Sequence, residues 1–127
     1  MSTSIGNDSG QFSQGIGSVA IGIQSGNNAQ SSNAVAIGNQ AGNNYQGGIA
    51  IGFQAGQNTQ GSQAVAIGFQ TAQSSQGAYS IAIGLNTGNN MGSSSIALGE
   101  NCGGGCGQNS IHMGFQVELI VLITVFL

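Results

Sequence analysis

The stretch Asn33-Ala34-Val35-Ala36-Ile37-Gly38-Asn39-Gln40-Ala41-Gly42-Asn43-Asn44-Tyr45-Gln46 carries the period on which the rest of the chain is written. Val35-Ala36-Ile37 alternates β-branched and small side chains, the two-residue period of a strand. Gly42-Asn43-Asn44 suits backbone with positive φ, hence a tight turn. Helix is disfavoured by the density of glycine and by β-branched residues two apart. A four-residue strand cannot stand alone, so this one needs neighbours.

Repetition supplies them. Outward from Gly38, the same anchor glycine recurs at Gly6, Gly22, Gly52, Gly68, Gly84, Gly99 and Gly114, every 14 to 16 residues. Before it stand Ile5, Ile21, Ile37, Ile51, Ile67, Ile83, Leu98 and Met113, and two further back Val19, Val35, Ile49, Val65, Ile81, Ile96 and Ile111. Two after it come Asp8, Gln24, Gln40, Gln54, Gln70, Asn86, Asn101 and Gln116; eight after it come Gln14, Gln30, Gln46, Gln60 and Gln76. Every change of length falls between that last glutamine and the next Val or Ile: Gly15 to Ser18 in one turn, only Gly47-Gly48 in another. Stacked coils behave this way, because a corner can bulge while stacked strands cannot shift. The pattern predicts an all-β parallel β-solenoid of about eight coils, each of 14–16 residues, over residues 1–116. At ~4.8 Å per coil the rod is roughly 38 Å long.

Composition narrows the function. Of 127 residues, 24 are Gly; there is no Lys, Arg, Pro or Trp, and only Asp8, Glu100 and Glu118 are charged. A chain with no cationic side chain has no partner for nucleic-acid phosphates or for acidic lipid headgroups. One His, two Cys and three scattered carboxylates leave few ways to assemble an acid, a base and an orienting group. The expectation is a structural or binding protein, not an enzyme, with no cofactor, no metal and no membrane span.

Each column has an expected role. The Val/Ile and Ile/Leu/Met columns are read as the coil interior, where burying one such side chain contributes ~1.5–3 kcal/mol before entropy is deducted. The alanines between them, Ala20, Ala36, Ala50, Ala66, Ala82 and Ala97, then point the opposite way and form a smooth oligomer seam. With the faces assigned the other way round, one apolar face is still left to bury, so a homo-oligomer is expected in either case. The amide columns are read as ladders running along the axis. A flat ice-binding face built on Thr is represented only by Thr71 and Thr87.

The runs Asn33-Ala34-Val35-Ala36-Ile37-Gly38 and Gln63-Ala64-Val65-Ala66-Ile67-Gly68 resemble the head repeats of YadA-like trimeric autotransporter adhesins, over about residues 3 to 116. Viral and phage fibre repeats are similar. The resemblance implies a left-handed β-roll, a trimer and an adhesive surface head binding a receptor or glycan. No charged n-region or apolar leader precedes Ile5, and neither neck, stalk nor barrel is present, so autotransporter secretion does not follow.

Two segments break the pattern. Cys102-Gly103-Gly104-Gly105-Cys106 brings two thiols four residues apart around three glycines: a candidate disulfide within the loop or to a neighbouring chain, a loose Cys/His set with His112, or free thiols. Residues 117–127 form an apolar run with Leu119, Ile120, Val121, Leu122, Ile123, Val125, Phe126 and Leu127, shorter than the ~20 residues of a membrane helix and rich in β-branched residues. It is read as a C-terminal capping or assembly strand. The function expected is a non-enzymatic structural protein of a cell-surface or virion fibre, extracellular and adhesive. The alternative is the subunit of an amyloid-like extracellular filament that adds end to end through the tail.

Overall fold

A computed structural model of the chain describes residues 1–115. The assembly strand expected over 117–127 lies outside the described residues. Among those described there is no helix, and the chain winds as a parallel β-solenoid of about seven turns with strands about 16 residues apart. One wall is a long parallel sheet of eight strands: β1 (Thr3–Ile5), β3 (Val19–Ile21), β5 (Val35–Ile37), β7 (Ile49–Ile51), β9 (Val65–Ile67), β10 (Ile81–Leu85), β11 (Ile96–Glu100) and β12 (Ile111–Phe115). The opposite wall is a shorter parallel sheet of β2 (Phe12–Gln14), β4 (Asn28–Gln30), β6 (Asn44–Gln46) and β8 (Asn58–Gln60), continued by single bridges from Gln60 to Gln76 and from Gln76 to Met91.

The register is the one the repeat demands. Val35 pairs with Val19 and Ile49, Ala36 with Ala20 and Ala50, and Ile37 with Ile21 and Ile51, so the 14-residue coil stays in step with its neighbours. The anchor glycines hold the coils this close. Gly38 lies at φ +129°, and a Cβ there would sit 2.5 Å from the carbonyl oxygen of Gly52 in the next coil. No L side chain fits that approach.

The faces are the reverse of the principal expectation. Ala20, Ala36, Ala50, Ala66, Ala82 and Ala97 are fully buried inside the coil, and the Val/Ile columns point outward. These alanines therefore form no exterior seam. Width is the reason. Glycine backbone of the turn packs directly on the alanine methyls: a Cβ added at Gly26 or Gly56 would lie 3.2 Å from the Cβ of Ala20 or Ala50. A lumen that narrow admits only small groups, so the other columns facing it are Ser18, Ala34, Ala64 and Ser80 on one side and Ser25, Ala41, Ala55, Thr71, Thr87 and Cys102 on the other. Thr71 and Thr87 are thus interior, their hydroxyls donating to the carbonyls of Gly84 and Gly99, and they form no surface ladder. With the period-2 alternation of a strand, putting alanine inside forces its branched neighbours out.

The long side chains in the lumen are chiefly glutamine, joined by Met91, which follows Gln76 in the same column, and by His112 in the alanine column. Gln30, Gln46, Gln60 and Gln76 are buried and turn their amides onto strand carbonyls: Gln30 Nε2 donates to Val19 O (2.8 Å), Gln60 Nε2 to Ile49 O (2.7 Å) and Gln76 Nε2 to Val65 O (2.8 Å). Along the axis they link in pairs, Gln30 to Gln46 Oε1 at 2.9 Å and Gln60 to Gln76 Oε1 at 3.2 Å. Between the pairs the ladder stops. Gln46 Nε2 donates to Val35 O and Gly48 O, which uses its two hydrogens and leaves Gln60 Oε1 without a donor.

Candidate functional site

What the solenoid offers to a partner is the outer face of its long sheet. Every rung after the first, where Thr3 stands in the Val column, presents two apolar side chains there, for example Val35 and Ile37, or Ile81 and Ile83. Ile49, Ile81 and Ile83 remain 37–40% exposed although each is flanked by like residues above and below. A third column follows the anchor glycine and includes Ile23, Phe53, Phe69 and Leu85, all exposed. Phe53 and Phe69 stack with ring centroids 5.0 Å apart. Seven intervals of ~4.8 Å by two residue pairs of ~6.6 Å make a strip on the order of 450 Å². That matches the largest apolar patch a monomer ordinarily shows, and such patches are commonly interfaces. The signal in the sequence was the aliphatic column itself, which had been assigned to the interior.

Beside the strip runs an amide ladder. Gln40 Nε2 donates to Gln24 Oε1 (3.0 Å), Gln54 to Gln40 (2.7 Å) and Gln70 to Gln54 (3.0 Å). Their backbones all lie at φ 52–56°, a region costly for a non-glycine residue. The stacked amides offset that cost by bonding along the axis, so both glutamine columns are structural ladders.

The corner between the short and the long sheet is broken at one place. Neighbouring coils there carry Ser32-Asn33 and Ser62-Gln63, and the coil between them, reduced to Gly47-Gly48, lacks both residues. The result is a notch of about 340 Å³ lined by Ser32, Asn33, Gly47, Gly48, Ile49, Gln63, Ala64 and Val65. The length change was visible in the sequence, but that it opens a concavity was not.

Cys102 and Cys106 are not joined to each other in the chain, so the disulfide expected within the loop is not formed. Cys102 is buried in the column of Thr87, its Sγ 3.9 Å from Thr87 Oγ1 and 4.0 Å from the backbone oxygen of His112; Cys106 is half-buried against the same apolar cluster. His112 continues the alanine column and is also buried. Among the described residues no three of His, Cys, Asp and Glu gather into one group. Comparison of the chain with protein-family models, characterised proteins and solved structures yields no match.

Proposed function

We propose that the chain is a non-enzymatic structural module that packs side by side against copies of itself through the outer Val/Ile face of its long sheet, as part of an extracellular fibre on a cell or virion surface. The observation that carries this reading is the unbroken aliphatic strip left in water while alanine, serine and glutamine fill the lumen. Proteins that avoid association place Lys, Pro or inward charges on such sheets. Here there is no Lys, Arg or Pro at all, and among the described residues the charge on the long sheet is Glu100, beside Leu85 in the third column, so nothing charged interrupts the Val/Ile columns themselves. A trimer with an adhesive exterior is the arrangement that likeness to YadA-like heads implies, and three strips facing one axis would bury one another.

Sedimentation equilibrium tests it. The full chain is expected to associate, and a variant carrying Ile37→Ser, Ile51→Ser and Ile67→Ser is expected to be monomeric with its β-sheet circular dichroism retained. A monomeric wild type, or a variant that still associates, refutes the proposal. Filaments that dissolve when the chain is ended at Gln116 would favour the end-to-end alternative instead.

A further inference from the structure

Among the described residues the corner notch is a concavity in which side-chain amides are not already committed. The glutamines of the two ladders bond to each other or to backbone, and Asn27 and Asn43 donate to the carbonyls of Asp8 and Gln24 in the coil before. The side chains of Ser32, Asn33 and Gln63, by contrast, make no hydrogen bond among the described residues, and all three are exposed around the same opening. Between them the wall is aliphatic, from Ile49 and Val65, and flat where Gly47 and Gly48 replace the missing corner. The same corner carries Tyr79 one rung beyond Gln63, tied to that rung by Tyr79 N–H to Ser62 O at 3.0 Å; the residue is 63% exposed.

From this geometry we infer that the notch binds a neutral, hydroxyl-rich ring, a single pyranose unit of a glycan. No residue lining it is charged, which disfavours a charged ligand. Each amide offers a donor and an acceptor side by side, the combination a vicinal diol matches, and Ser32 adds a hydroxyl. A sugar ring also has a C–H face, which Ile49 and Val65 can cover, and Tyr79 supplies an aromatic platform for a following unit. The volume falls at the lower end of ligand pockets, ~300–1,000 Å³, sufficient for a ring of this size. This inference deepens the adhesive part of the reading above. Ile49 and Val65 also belong to the first column of the aliphatic strip, so the variant carrying Ile37→Ser, Ile51→Ser and Ile67→Ser, which leaves both in place, lets the sedimentation test and the one below fail separately.

The test is saturation-transfer NMR on the full chain with methyl glucoside, methyl mannoside, methyl galactoside and N-acetylglucosamine at millimolar concentration. Transfer to the ring protons of at least one sugar is expected. Inserting Ser-Asn between Gly47 and Gly48 restores the regular corner and is expected to abolish it. Asn33→Ala and Gln63→Ala should each weaken binding about five- to tenfold, the loss of one net hydrogen bond. Asn109→Ala, in the same column at the far end, should leave binding unchanged. If the insertion variant loses its β-sheet circular dichroism, the two alanine variants decide the matter. Absence of transfer from all four sugars overturns the proposal, as does equal transfer in the variants. A change in sedimentation on insertion without any sugar binding also overturns it, and assigns the notch to a second copy of the chain.

Discussion

At the scale of single residues, two kinds of position carry the fold. The anchor glycines are one. At Gly38 the positive φ and the 2.5 Å approach to Gly52 O act together, so Gly38→Ala adds backbone strain to a clash with rigid backbone. The expected loss is about 2–4 kcal/mol, read as a lowered urea midpoint by circular dichroism. The lumen glutamines are the other. Gln46 is 0% exposed, donates to Val35 O and Gly48 O, and accepts from Gln30. Replacing it by leucine keeps much of its volume but removes three hydrogen bonds from the lumen, although Gly48 O keeps the N–H of Val35 and Gln30 Nε2 keeps Val19 O and Ala34 O. Gln46→Leu should therefore cost about 2–4 kcal/mol despite being more apolar. A variant as stable as wild type would mean that water reaches those carbonyls.

At the scale of the element, a strand of the long sheet is a three-residue device with two environments. In β7, Ala50 faces a lumen where glycine backbone lies against its methyl group, while Ile49 and Ile51 face outward. Adding two methyl groups at Ala50 overpacks a rigid cavity, and Ala50→Val should destabilise the folded chain by about 1–3 kcal/mol. Ile51→Val removes one methylene from a half-exposed site and should cost less than about 1 kcal/mol in the monomer. Thermal melts of the two variants side by side check the assignment of faces: the opposite ranking would return the alanines to the exterior. The β-strand and its register were legible in the sequence, because period 2 and the anchor glycine are local signals; of the expected turn Gly42-Asn43-Asn44 only the glycine lies at positive φ, Asn44 opens β6, and the other positive-φ residues beside it are Gln40 and Tyr45. Which face was interior was not legible, because the usual rule ranks side chains by apolarity and this lumen selects by size.

For the whole molecule, one force that usually governs assembly is absent. With three carboxylates and no Lys or Arg in 127 residues, there are no ion pairs to screen. Self-association through the aliphatic strip should therefore change little between low and moderate sodium chloride, since screening acts only on charges. It should weaken on cooling, because apolar burial loses driving force as temperature falls. Sedimentation equilibrium across both variables measures this; steep salt dependence with no effect of cooling would point to a polar interface.

The repeat, read alone, determined the solenoid: an in-register column of Val-Ala-Ile-Gly has no other compact arrangement that pairs every backbone. The expectation that all length changes fall at one corner holds for the coil of Gly47-Gly48 and not for the later one, where Met91 pairs with Gln76 and stands seven residues after Gly84 instead of eight, so that the residue is lost from the turn. It also placed the ladders and located the short coil. Only the tertiary structure decided that alanine lies inside, that the branched residues form the outer strip, and that the missing corner residues leave a notch with free amides. Those depend on the distance between two walls, and a sequence records which side chains alternate but not how far apart the facing backbones come to rest.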